Sequence, residues 1–210
     1  VRAVLVEEVK SDRRHAALVL LARAVDVEVA KPHHLRGEIL DAAAHDLVRL
    51  GVGLTEGQRT WLKGVADYVC RVWRWKDRGI WEVRGPEMHF VYSKLMCWVA
   101  VDRGIALAER YEVGAADLER WHREREAIRA AILERGYDAE RNCFVQSFEN
   151  PTPDASNLLI PLTGFLPADD PRVQGTIEAT LRDLTHEGMV CRYLTDETPD
   201  GVGGGEGSFG

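Results

Sequence analysis

The stretch LMCWVAV, residues 95–101, contains no polar side chain. It sits inside YSKLMCWVAVDRGIALAER (92–110), which reads as one helix. A helix that is apolar on every side cannot lie on a surface, so other elements must enclose it. The chain must therefore build a multi-helix assembly around this segment, and its remaining sequence should supply amphipathic partners.

It does. RGEILDAAAHDLVRLG (36–51) places Ile39, Leu40, Ala43, Leu47 and Leu50 on one face and stops at Gly51. TEGQRTWLKGVADYVCRVWRW opens on Thr55 and Gln58, the spacing of a capping box. Its Trp61, Leu62, Val65, Val69, Val72 and Trp73 recur three and four residues apart. GAADLERWHREREAIRAAILERG (114–136) turns Leu118, Trp121, Ile128 and Ile132 inward, and its charged run 119–129 reads as a solvated outer face. A loop with FVQSF and NPTPD follows. A short apolar helix is expected from near Asp154 over ASNLLIPLTGF. A last helix opens with Asp170 as N-cap and Pro171 in its first turn, buries Val173, Ile177, Leu181 and Leu184, and ends at Gly188. Strand alternation is nearly absent and no fixed repeat period is visible. The pattern is all-α: apolar inner helices alternate with charged outer ones.

Composition narrows the function. The net charge of -7 argues against nucleic acid as the main partner, and basic residues are interleaved with acids. The cysteines at 70, 97, 143 and 191 form no Cys-x-x-Cys pair, so reduced, mostly buried thiols in a cytoplasmic protein are expected. Metal-ligand spacing is absent, and neither a metal nor another cofactor is expected. No apolar run approaches the length of a membrane span. RRHAALVLLARA (13–24) mimics a signal peptide, but Glu7, Glu8 and Asp12 precede it and the chain begins at Val1.

The ends are less regular. Residues 1–35 show no clean cap and are left as an unassigned N-terminal segment; 36–210 is read as the domain. The Gly-rich tail GVGGGEGSFG reads as flexible, because a phosphate loop needs a helix after it.

Chemistry gathers in GIWEVRG (79–85). Trp81, Glu82 and Arg84 share one turn between two glycines. The plain reading is a surface turn that tucks an aromatic into the core. The sharper one is a general acid: a carboxyl packed on an indole loses solvation and its pKa rises. A tryptophan could also stack on a sugar ring. Trp61, Trp73 and Trp98 read as core, Trp75 is undecided, and Asp77 and Glu87 read as exposed turn residues. His89 fits either a site or a hydrogen bond across the turn.

The segment DRGIWEVRGPEMHFVYSKLMCWVAVDRGIALAE (77–109) closely resembles the family 15 glycoside hydrolases, which include glucoamylases and bacterial trehalases of glucoamylase type. The resemblance continues through FVQSF, DASNLLIPLTGFLPADDPRVQGTIEATLRDL and CRYLTDETPDGVGGGEGSF, roughly residues 37–209. It implies an (α/α)6 barrel with the site in the loops at one end, and inverting hydrolysis of α-linked glucosides such as trehalose or short α-glucans. Glu82 matches the family's general acid and Trp81 the aromatic beside it. Arg192 and Tyr193 match an Arg-Tyr whose arginine holds sugar hydroxyls. Arg84, His89, Tyr92 and Lys94 are second-rank substrate-binding candidates. Glu206 matches a loop near the sugar and is not read as the general base.

The family's general base lies in a later loop, beyond the Gly-rich segment, and nothing in residues 1–35 resembles the earlier Arg-Asp pair that grips glucose. The resemblance thus implies about half of a barrel, holding the acid without the base, and little turnover by these residues alone. The rival is a non-catalytic helical remnant that binds sugar or serves as an interaction scaffold. In a half-barrel, helix 92–110 would show an apolar face to water and favour self-association.

Overall fold

The computed structural model describes residues 33–50, 53–113 and 116–195, with the side chains of 46–50 and of 33–34 excepted. Residues 1–32, the Gly-rich tail and Glu206 lie outside the described residues. Four helices come first: α1 (His33–Leu50), α2 (Glu56–Val72), α3 (Val91–Arg110) and α4 (Leu118–Arg135). The apolar segment is in α3, and α1, α2 and α4 all pack on it. Every residue from 91 to 101 is buried, as a helix without a polar side requires. This corrects one expectation: α3 shows no open apolar face over these residues. The exposed large hydrophobics among the described residues are Trp75, Leu162, Leu181 and Met189, on separate segments.

Capping and polar ties fix the helices. Thr55 Oγ1 accepts from Gln58 N at 3.3 Å while Gln58 Oε1 accepts from Thr55 N at 2.8 Å, completing the capping box of α2. Asp117 caps α4 by accepting from Arg120 N at 3.1 Å, and Gly136 follows its last turn. Leu40 and Ala43 of α1 are fully buried, and so are Trp121, Ile128 and Ile132 of α4. Trp73 and Trp98 are core, and Trp61 packs on it half-buried. The charged run of α4 is only partly a solvated face. Glu124 accepts from Trp73 Nε1 at 2.7 Å, and Arg129 donates to the Phe165 carbonyl at 2.6 Å.

Residues 137–153 are where the all-helical expectation fails. They form an antiparallel sheet of β1 (Tyr137–Asp138), β2 (Cys143–Ser147) and β3 (Asn150–Pro153), in the order β1-β2-β3. Val145 pairs with Pro153 and Ser147 with Asn150, with an irregularity between the two pairs. All five residues of β2 are buried, so the strand carries no in-out alternation to betray it. Its prolines sit on β3, an edge strand where a missing N–H is tolerated.

The helix expected over ASNLLIPLTGF is shorter. It starts on Asp154 as anticipated but is a 3-10 turn, Ala155–Leu159, because Pro161 cannot continue a helix. Helix α5 (Pro171–Asp183) opens on Asp170 with Pro171 in place and buries Val173. It ends before Gly188. Glu187 (φ 51°) and Gly188 (φ 83°) instead form the two-residue turn between β4 (Thr185–His186) and β5 (Met189–Val190). Two positive φ values in such a turn match the twist of a hairpin. Leu181, within the helix, is exposed on its outer side, whereas Leu184 just beyond it is fully buried.

The four cysteines are unpaired, and three of them are buried. Burial pushes the Cys70 and Cys97 thiols up to about 12, far from a reactive thiolate.

Candidate active site

GIWEVRG lies on the loop between α2 and α3, and backbone pairing closes that loop. Asp77 and Met88 exchange hydrogen bonds, N to O, at 3.0 Å each way. This bridge buries Asp77, against the expectation of an exposed turn residue; its Oδ1 accepts from Gly79 N at 3.1 Å. Gly79 takes φ 66° and lies on the Phe90 ring, where a Cβ would come within 2.9 Å of ring carbons. The position therefore needs glycine twice over, for its backbone and for the close approach. Within the loop Glu82 N donates to Gly79 O at 3.3 Å and Val83 N to Arg78 O at 3.1 Å.

Two later segments meet this loop. Phe90 pairs with Ser147 of β2, and Phe148 N donates to His89 O at 3.0 Å. Asp154 pairs with Tyr193, and Ala155 N donates to Arg192 O at 2.9 Å. Val83, Met88, Phe90 and Tyr193 form a small apolar cluster with Trp81 packed on it, separate from the main core. The Arg192 guanidinium stands 5.7 Å from the centre of the Trp81 ring, within cation–π range. Trp81, Glu82, Arg192 and Tyr193, chosen from two distant motifs, are thus brought to one place.

The tryptophan is anchored from behind by Asp154, near which the short apolar helix was expected to start. Trp81 Nε1 donates to Asp154 at 3.1 Å (Oδ1) and 3.0 Å (Oδ2). Asp154 also caps the 3-10 turn, accepting from Ser156 N at 2.8 Å and Ser156 Oγ at 2.6 Å. Gln146 Nε2 donates to its other oxygen at 3.2 Å, and Gln146 Oε1 accepts from Asn150 at 2.9 Å. All of these polar residues are buried. Burial pushes the Asp154 carboxyl up, opposed by the hydrogen bonds from Ser156, Trp81 and Gln146. Its legible signal was a lone carboxylate in an otherwise uncharged stretch, PTPDASNLL.

The other candidates fall into two groups. Glu82 is exposed, with φ 48°, and Arg84 is exposed on the same turn. The aromatic wall expected to desolvate Glu82 instead turns its indole N–H to Asp154. His89, Tyr92 and Lys94 serve the frame. His89 N donates to Glu149 Oε2 at 2.9 Å, and its ring tilts against Phe148 at 5.7 Å. Burial and the nearby Lys94 hold its imidazole below the ordinary histidine value, favouring the neutral form. Tyr92 donates its hydroxyl to Glu38 of α1 at 2.7 Å. Lys94 is buried, and its ammonium donates to the Trp75 carbonyl. Among the described residues no group of three or more histidines, cysteines and carboxylates is placed to hold a metal, and no helix is long and apolar enough to cross a membrane.

Comparison with known proteins agrees with the motifs. The profile of the glycosyl hydrolases family 15 matches residues 57–209. A trehalase of Mycobacterium tuberculosis (strain ATCC 25618 / H37Rv) is 48% identical over 148 residues, covering 70% of this chain and 22% of that protein. A trehalase of Thermoplasma volcanium is 30% identical over 167 residues, covering 80% of this chain and 26% of that protein. The chain thus spans about a quarter or less of the curated relatives it matches. A solved glycosidase in complex with glucose superposes with a TM-score of 0.67 at 20% identity, over 90% of this chain and 56% of that one. That likeness is one of fold, and the helix-rich architecture is consistent with an (α/α)6-type fold. Because the family profile matches most of this chain, residues 57–209, the chain belongs to the glycosyl hydrolases family 15.

Proposed function

We propose that the chain is the acid-bearing part of an inverting α-glucosidase of trehalase type. In this reading residues 36–210 form about half of an (α/α)6 barrel, with α3 in the inner ring and α4 in the outer. Glu82, as a carboxylic acid, gives its proton to the glycosidic oxygen while the C1–O bond breaks. Water attacks C1 from the opposite face and loses its proton to a second carboxylate. Asp154 is unsuited to that second role: it is buried behind Trp81 and both its oxygens already accept hydrogen bonds. The family resemblance assigns the base to a later loop, outside the described residues. Trp81 and Arg192 form the wall of the sugar site, with Arg84 and Tyr193 beside it; Glu206 keeps the substrate-binding role that the resemblance implies. His89, Tyr92 and Lys94 hold the loop from behind.

The observation that carries the reading is the meeting at Trp81 of the GIWEVRG turn with Arg192 and Tyr193, two motifs over a hundred residues apart in the sequence. Trehalose is preferred to maltose as substrate because the relatives at 48% and 46% identity are both trehalases. The exposure of Glu82 favours the rival, a non-catalytic sugar-binding or interaction scaffold, since an acid open to water is not yet in a dry site.

Glucose release from trehalose and from maltose decides between them. It is measured on the chain alone and on Mycolicibacterium smegmatis trehalase carrying residues 57–209 in place of its own matching segment. The chain alone is expected to release little glucose. The chimera should hydrolyse trehalose, and Glu82→Gln in it should cost about 10²–10⁴-fold, the usual contribution of a general acid. Full activity of the Glu82→Gln chimera would sink the assignment. An inactive but folded chimera that still binds trehalose would favour the scaffold.

A further inference from the structure

We propose that Asp154 is a positioning residue that fixes the Trp81 indole, and through it the Glu82 turn, against Arg192; the role in catalysis rests on the reading of Glu82 as the acid. Three observations support it. The contact spans 73 residues of sequence, so no local constraint of the turn produces it. Both carboxylate oxygens reach the one indole N–H, at 3.1 and 3.0 Å, so the ring has little freedom to swing about its long axis. And Asp154 is itself immobilised: Ser156 and Gln146 fill its remaining acceptor positions from a buried network.

The chemistry explains why an aspartate stands here. An indole can only donate, so a wall tryptophan needs an acceptor behind it. A carboxylate offers the strongest neutral-donor bond available, and burial removes the water that would compete for it. Arg192 completes the arrangement: its backbone carbonyl accepts from Ala155 N, next to Asp154, and its guanidinium stands over the Trp81 ring. Residues 154 and 155 therefore register both the ring and the arginine on one short segment. A sugar-facing tryptophan held in this way presents a preformed surface and adds no reorganisation when the turn receives substrate.

The test is made on the whole chain by NMR. Trp81→Phe assigns the Trp81 indole signal. Asp154→Asn should move that indole proton upfield and remove the ring-current shift of the Arg192 side chain, while the other tryptophan signals stay in place. A purely structural role would move Trp73, Trp98 and Trp121 as well, because they lie in the main core. An unmoved Trp81 signal in folded Asp154→Asn overturns the proposal. If Asp154→Asn does not fold, Trp81→Phe is read from the other side: the Asp154 carboxyl carbon signal should shift, and an unchanged signal overturns the proposal equally. Failure of the glycosidase reading shows elsewhere, as trehalose hydrolysis insensitive to Glu82→Gln, and leaves these signals where they are.

Discussion

A Cβ added to Gly37 would lie 2.1 Å from the carbonyl oxygen of Met96, so the backbones of α1 and α3 touch at this point. Backbone cannot give way as a side-chain tip can. Gly37→Ala should therefore push α1 off α3 and strain the Tyr92–Glu38 hydrogen bond beside it. The expected loss is about 1–3 kcal/mol, the usual cost of overpacking, despite alanine's better helix propensity. A urea titration checks it. Unchanged stability would mean that α1 sits further from α3 than described.

Glu82 occupies a left-handed backbone conformation with an exposed side chain. An L-residue pays about 1–2 kcal/mol for that conformation, and glycine does not. Glycine loses about 0.4–1 kcal/mol through the freedom it gives the unfolded chain. The first effect is the larger, so Glu82→Gly should leave the melting temperature unchanged or raise it slightly. A marked fall would show that the Glu82 carboxyl is engaged in holding the fold, which is not what an exposed acid awaiting substrate does.

These two positions illustrate what could and could not be read in advance. The helices were legible because each announces itself locally: Thr55 with Gln58, Asp170 with Pro171, the unbroken apolar run of α3. Strand β2 was not, because Cys143, Phe144, Val145, Gln146 and Ser147 are covered on both faces and no alternation survives. Asp77 looked exposed because its bridge to Met88 is a tertiary closure of the loop. The meeting of Glu82 and Trp81 with Arg192 and Tyr193 followed from the family resemblance; no property of those residues pairs them. Asp154 was expected only to lie near the start of a helix, and it caps the 3-10 turn there. Its second partner, Trp81, is set by the fold and invisible in any window of sequence.

Lys94 separates the frame from the site. Its side chain is buried within α3, its ammonium donates to the Trp75 carbonyl, and burial holds its pKa below the ordinary lysine value despite nearby Asp77. Lys94→Met keeps the volume and removes the desolvated charge, which is favourable. It also takes the ammonium donor away from the Trp75 carbonyl, a cost of about 1–3 kcal/mol. The cost should prevail, with a net loss of at most about 3 kcal/mol by thermal melting. Trehalose affinity, measured calorimetrically on protein that remains folded, should not change. A selective loss of affinity at unchanged stability would return Lys94 to the sugar site.

The pH dependence of stability tests which force governs Asp154. Desolvation raises its carboxyl pKa, and the hydrogen bonds from Ser156, Trp81 and Gln146 lower it; burial is the larger. In the unfolded chain the group titrates near 3.8. Between that pH and the higher folded value the native state holds a proton that the unfolded state has released. Stability from this group is then greatest below pH 3.8 and declines as pH rises through the window up to the folded pKa. Asp154→Asn cannot titrate. The stability advantage of the native chain over Asp154→Asn, from urea titrations between pH 3.5 and about 7, should therefore shrink as pH rises. An advantage that grows over the same range would mean that the four donors outweigh burial and that the anion is the form the fold selects.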